Sequence, residues 1–282
     1  MSGKEGALTE PEIRTVKYDA ELNVEAYHFQ GIMQKFPNHF HAYYVIGFIE
    51  KGRRYLYCKN RKYTVEPGDL LLFNPRDNHA CEQIDGEALD YCCINIQPDT
   101  MRKAVFEITG EAYLPYFTLQ GIFHSELVSL LKDLHQMIMN EEKDFRKEEI
   151  FFFLLEQLLE EHTNQEVLTA DLPQSAEVRA VCKYLEEHYT ESIALDDLCK
   201  LTGLSKYYLL RSFTKQKGIS PYSYLETIRV DKAKKLLERG VLPIAAALRT
   251  GFSDQSHFSN FFKKFIGLTP KQYLNIFRDT HS

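Results

Sequence analysis

The spacing of hydrophobic and polar positions changes period once along this chain, and the change divides it. Through about residue 98 the apolar positions come in short runs or in alternation. Residues 43–49 are dense in aromatic and β-branched side chains, residues 53–58 alternate, and residues 70–73 form a short apolar run. Glu66-Pro67-Gly68-Asp69 breaks the chain just before that last run, as a turn does. Short strands separated by Gly, Pro, Asn and Asp predict a small β sandwich or barrel.

From about residue 123 the spacing is helical. Leu127, Leu130, Leu131, Leu134 and Ile138 recur at i, i+3 and i+4, and residues 150–159 supply a second apolar helix. The charged stretch 140–147 between them predicts an antiparallel hairpin covering the sheet. Phe151-Phe152-Phe153 spreads aromatics wider than one buried face needs, so the same hairpin is a candidate surface for pairing two copies. Residues 163–175, ending Leu172-Pro173-Gln174-Ser175, read as a linker, and everything beyond is helical with short Gly-, Ser- and Pro-bearing breaks. The expected class is α+β in two domains. Residues 1–165 form a β-rich domain with a helical hairpin, 166–176 a linker, and 177–282 an all-α domain. A length of 282 residues agrees with two domains.

The helical half contains an internal echo. Thr202-Gly203-Leu204-Ser205 returns as Thr250-Gly251-Phe252-Ser253, and Phe213 and Lys215 return as Phe261 and Lys263. Gly218-Ile219-Ser220-Pro221 returns as Gly267-Leu268-Thr269-Pro270 with a one-residue slip. Each copy predicts a short helix ending at a glycine, a serine capping the next helix, and a second helix with basic residues outside. That is a helix-turn-helix, whose second helix fits the DNA major groove. The helix between the copies, about residues 220–239, spans ~30 Å, close to one turn of DNA.

Charge sharpens the division. The whole chain carries −6, which taken alone argues against a nucleic-acid partner. From residue 175 onward, however, 17 Lys and Arg face 11 Asp and Glu, a balance of +6, and the preceding part carries −12. No segment approaches the ~18 apolar residues of a membrane span, and no signal peptide is visible. The six cysteines form no regular framework, so reduced thiols and a cytoplasmic location are expected.

These residues carry a resemblance. Gly203-Leu204-Ser205, Tyr208-Leu209, Arg211, Phe213, Gly218, Ser220-Pro221, Tyr224-Leu225, Arg229, Ala233 and Leu236-Leu237 resemble the AraC/XylS family of bacterial transcription regulators. So do Ala247, Gly251-Phe252, Ser256-His257-Phe258, Phe261, Lys263-Lys264, Gly267, Thr269-Pro270 and Tyr273. The resemblance implies a DNA-binding unit with two helix-turn-helix motifs and RNA polymerase as a partner. It places base contacts at Lys206, Tyr207, Leu210 and Arg211 in the first motif, and at Gln255, Ser256, His257, Ser259 and Asn260 in the second. Arg211 suits guanine, Gln255 adenine and Leu210 a thymine methyl, while Lys215, Lys263 and Lys264 suit phosphates. Asn260 stands where many members carry Arg, and the approach at Pro243-Ile244 is one residue short. Both departures predict a second motif that reads sequence less stringently.

The N-terminal half, from His39 and His41 through Pro67-Gly68-Asp69 and Asn74-Pro75 to His79, resembles the cupin-like effector domain of the same family. It implies a cupin-like β-barrel holding a small-molecule effector. His39 and His41, at i and i+2, face one way. With His79, Cys81, Tyr43, Tyr55, Tyr57, Tyr91 and Arg53 or Arg54 they are the candidate lining. His39, His41 and His79 are the donor set for Zn or Fe(II) if a metal binds. Metal cupins carry a Glu beyond the second His where Val45 or Ile46 stands here, so a metal-free pocket is expected and no cofactor is assigned. The competing readings are a metal-dependent cupin enzyme with an accessory helical domain, and a redox regulator using Cys92-Cys93. Adjacent strand residues point to opposite faces, which disfavours the latter. The leading reading is a DNA-binding regulator, not an enzyme, acting as a homodimer on double-stranded DNA.

Overall fold

The computed structural model describes residues 12–59, 61–163 and 175–278. Among the described residues, ten strands and three helices make the N-terminal part. The strands are β1 (Ile13–Asp19), β2 (Val24–Ile32), β3 (Phe36–His39), β4 (Tyr44–Lys51), β5 (Arg54–Cys58), β6 (Arg61–Val65), β7 (Leu70–Phe73), β8 (His79–Gln83), β9 (Leu89–Ile96) and β10 (Gly121–Ile122). They form two antiparallel sheets, ordered β1-β2-β9-β4-β7-β10 and β3-β8-β5-β6. The helices are α1 (Pro98–Thr109), α2 (Leu127–Met139) and α3 (Arg146–His162).

Strand alternation divides the apolar residues of the larger sheet between two cores. Ala26, Ile46, Phe48, Leu72, Cys92 and Ile94 pack under α1, α2 and α3. Tyr27, Phe29, Val45, Ile49, Phe73 and Cys93 face the smaller sheet across the barrel interior. Cys92 and Cys93 therefore lie in different cores, both buried. α2 and α3 form the expected hairpin. Its charged connection is less solvated than its composition predicts, because Lys147 is buried between Asp19 at 2.5 Å and Glu21 at 2.7 Å. α1 was invisible to the periodicity: its start is set by Pro98 in the first turn and its end by Gly110 at φ 77°.

The second half is helical throughout: α4 (Ala176–Glu187), α5 (Leu195–Thr202), α6 (Lys206–Lys217), α7 (Pro221–Glu238), α8 (Pro243–Arg249), α9 (Gln255–Ile266) and α10 (Pro270–Arg278). Most of the expected linker, 166–174, lies outside the described residues, and Ser175 caps α4 by accepting from the Val178 amide. The long helix α7, 18 residues, spans about 27 Å.

The two halves share core. Val230, Ala233 and Leu237 of α7, with Phe258, Phe262 and Phe265 of α9, are continuous with the barrel-interior residues. Phe40 from the β half is buried among α4, α5, α6 and α7 residues such as Val181, Leu198, Phe213 and Tyr224.

Candidate effector pocket and nucleic-acid interface

Two helix-turn-helix units are present. In the first, α5 ends at Gly203 (φ 70°), and Ser205 caps α6 by accepting from the Tyr208 amide. In the second, α8 is followed by Gly251 (φ 83°), but the cap of α9 is Asp254, not Ser253; its carboxylate accepts from the His257 amide at 2.7 Å. From the glycine to the capping residue the second turn is thus one residue longer, so the slip in the echo falls at the turn and not after the recognition helix. The fully buried Phe213 of α6 is consequently matched by the fully buried Phe262, and the expected partner Phe261 is only partly buried. α8 has seven residues against eight in α5.

On α6, Lys206, Tyr207, Leu210, Arg211 and Lys215 are all exposed, Tyr207 at 71%, and Tyr208 joins them at 59%. Lys206 is tied to Asp196 at 2.6 Å. On α9, Gln255, Ser256, Asn260, Lys263 and Lys264 are exposed and Ser259 is half-buried. His257 is half-buried against Phe252 and Phe261, with the Tyr222 hydroxyl 3.4 Å from its Nε2. Arg229 is a structural residue: it bonds the Tyr189 and Glu191 carbonyls at 2.8 Å and Glu226 at 3.1 Å.

The barrel interior encloses a cavity of about 100 Å³. Of the candidate lining residues, His39, His41, Tyr43, His79, Cys81 and Tyr91 reach it. Arg53, Tyr55 and Tyr57 do not. On β5 the inward positions are Arg54, Leu56 and Cys58, so the odd-numbered residues point outward. Arg53 instead pairs with Asp85 at 2.8 Å, and Lys62 lies over the rings of Tyr55 and Tyr57.

The three histidines converge: their ligand-capable nitrogens lie within 4.8 Å of one another. His39 Nδ1 donates to the Pro37 carbonyl (2.7 Å) and His79 Nδ1 to the Asp77 carbonyl (3.0 Å). A carbonyl only accepts, so both rings are protonated at Nδ1 and turn a bare Nε2 inward. His41 Nε2, 3.1 Å from His39 Nε2, then donates the proton between them. Burial holds all three neutral, taking His39 down to about 3, His79 to about 4 and His41 well below its ordinary value. It likewise pushes the Cys81 and Cys93 thiols up to about 12 and the Tyr43 and Tyr91 phenols well above their usual range. Of Val45 and Ile46, Val45 lines the cavity, whereas Ile46 packs on the other face of the sheet under the helices.

Phe265 and Ile266, the last turn of α9, also line the cavity. The sequence held no sign of this, because both read as ordinary core residues of a recognition helix. Beside them a buried polar cluster joins the halves. Lys234 of α7 bonds both oxygens of Glu25 (2.8 and 3.0 Å) and lies 4.3 Å over the Tyr43 ring. Tyr27 and Tyr273 also bond Glu25, and Tyr273 reaches Glu238 at 2.8 Å. Burial opposes the Lys234 charge, but Glu25 and Glu238 outweigh it and raise its pKa. The glycines ending α6 and α9, Gly218 and Gly267, each offer a carbonyl to the β half, to Asn38 Nδ2 and Arg14 Nη1 respectively.

This geometry agrees with what the chain is similar to. Residues 21–155 match the model of the AraC-like ligand binding domain, and residues 198–276 match a helix-turn-helix domain model. An uncharacterised HTH-type transcriptional regulator of Bacillus subtilis (strain 168), YbfI, is 61% identical over 87% of this chain and 90% of that protein. A regulator of the same description from Staphylococcus aureus (strain MSSA476) is 28% identical over 81% of this chain, which spans only 31% of that longer protein. Among solved structures, unsaturated fatty acid-bound ToxT of Vibrio cholerae superposes with a TM-score of 0.53 at 20% identity, covering 90% of this chain and 94% of that one. At that identity the likeness is one of fold. The chain belongs to the AraC family of transcription regulators. It is a DNA-binding regulator whose N-terminal domain is of the ligand-binding kind.

Proposed function

We propose that this regulator binds a small effector in the barrel cavity and converts its occupancy into a change in how the two recognition helices meet DNA. The observation that carries the reading is the alternation across residues 38–41. His39 and His41 face the cavity, while Asn38 bonds Gly218 behind α6 and Phe40 is buried in the core of the first helix-turn-helix. One wall is shared by ligand and DNA-binding unit, and Phe265 closes the other side. A ligand that binds one arrangement of this wall more tightly shifts the population toward it.

In this reading α6 and α9 enter successive major grooves of double-stranded DNA. Arg211 and Gln255 read base edges, and Lys215, Lys263 and Lys264 hold phosphates. Two copies pair through the α2–α3 hairpin, where Phe145 and Phe153 are 72% and 50% exposed, and RNA polymerase is the partner that responds. The protein works in the cytoplasm; no helix among the described residues is long and apolar enough to cross a membrane.

The cavity acts by binding and not by turnover. Its His, Cys and Tyr groups are held neutral, and among the described residues no carboxylate lines it. The histidines serve as hydrogen-bonding groups without a metal, a reading supported by the proton shared between His39 and His41 and by Val45 in place of an acid. Operator binding by the full chain, using DNA selected from a random pool, tests the proposal across a metabolite panel. A ligand that shifts both thermal stability and operator affinity is expected. Stoichiometric zinc or iron in the purified protein would instead favour the enzyme reading.

A further inference from the structure

We infer that the effector is a small organic anion, a monocarboxylate whose charge is met by Arg54 in the cavity wall; this rests on the cavity being the effector site. Arg54 is 1% exposed and lines the cavity. Its guanidinium donates only to main-chain carbonyls: to Arg53 at 2.8 Å, Glu87 at 3.0 Å and Ile32 at 2.7 Å. Its Nε is buried with no partner. Carbonyls satisfy donors but do not neutralise a cation. Among the described residues no carboxylate bonds it: Asp85 is taken by Arg53, and Glu87 is exposed.

The other titratable groups of the lining are neutral, so the wall carries one positive charge. Burial lowers the Arg54 pKa and outweighs the Asp85 and Glu87 carboxylates, which act on it only through space, without a hydrogen bond. A buried charge is tolerated when paired, and an incoming anion supplies the pair where the low dielectric makes it strong. One charge suits a monoanion better than a dianion. The rest of the lining, including Phe36, Leu56, Leu71 and Phe73, is apolar and calls for an organic body. Lys234 does not compete for the ligand, since Glu25 already holds it. The size follows from the volume. A cavity of ~150 Å³ takes benzene, so this one, about 100 Å³, takes an organic body smaller than a benzene ring, about four or five carbons.

The test is calorimetry and thermal shift on the full chain with butyrate, 3-methylbutyrate and pentanoate, each against the neutral amide of the same shape. At least one acid should bind about tenfold or more tighter than its amide and raise Tm. Arg54→Gln should erase that preference, and Val65→Phe, which fills the cavity, should abolish binding. Should Arg54→Gln fail to fold, the acid–amide comparison on the wild type decides alone. Amides that match or exceed the acids overturn the anion inference while leaving the pocket reading intact. Acid binding that survives Val65→Phe overturns it as well. No binding by either series contradicts the inference and the pocket reading together.

Discussion

The imidazole of His39 and the ring of Phe265 lie 5.4 Å apart, one from the effector barrel and one from the second recognition helix. A residue of the DNA-reading helix is therefore also a wall of the ligand cavity. Phe265→Ala should open that wall and cost about 3 kcal/mol, as truncating a buried aromatic does, whereas Phe265→Leu should cost less. Urea unfolding of the three proteins checks the order.

The buried pair Glu25–Lys234 holds the halves together at 2.8 Å. Removing Lys234 leaves Glu25 a buried charge held only by tyrosine hydroxyls, and removing Glu25 leaves Lys234 only the longer 3.6 Å contact to Glu238. Lys234→Met should therefore destabilise by about 3–5 kcal/mol and Glu25→Gln by somewhat less. The double variant should recover much of that loss. Additive losses, measured by the same unfolding cycle, would mean the two side chains do not act as a pair.

Stability should fall in mild acid. His39 and His79 titrate near 3 and 4 in the folded barrel, but near 6.5 when unfolded. Protons therefore favour the unfolded chain in this window. The histidine contribution is fully present above about pH 6.5 and is lost as pH falls toward 4, by ~1.4 kcal/mol per unit for each group. His79→Asn should flatten the slope of unfolding free energy between pH 6.5 and 4.5 by about that amount per unit. An unchanged slope would place the proton uptake elsewhere.

On DNA, Arg211→Ala should cost about 1–3 kcal/mol and relax preference at one base position, while Lys263→Ala should weaken all sequences alike and lower the salt slope by about 1. Binding titrations at several salt concentrations separate the two. Equal affinity of wild type and Arg211→Ala for the selected operator would remove Arg211 from base reading.

Much of this was legible in the chain because local rules and tertiary structure agree. The hairpin and both helix-turn-helix units follow from spacing, capping residues and the 48-residue echo. β2 was not legible: it is buried on nearly every position, so it shows no alternation, and its Glu25 reads as solvent-facing until Lys234 and Tyr273 are seen around it. The shared face of His39 and His41 follows from the i, i+2 rule, while His79 joins them through the cupin resemblance. The register of β5 did not, since a one-residue choice decides whether Arg53, Tyr55 and Tyr57 or Arg54, Leu56 and Cys58 point inward. Contacts between the halves, such as Phe265 in the cavity wall, join residues more than 100 positions apart and leave no trace in any local pattern.

The proposed link between cavity occupancy and DNA binding runs through α9 and the shared wall. Operator affinity of full-length Val45→Phe and Val65→Phe, which fill the cavity from two sides without any added ligand, tests it most directly. A shift of about fivefold or more in Kd relative to wild type is expected, the lower range of an allosteric coupling. Tyr57→Phe, outside the barrel, should leave Kd unchanged. Folded cavity-filled variants that bind the operator with wild-type affinity would contradict the account.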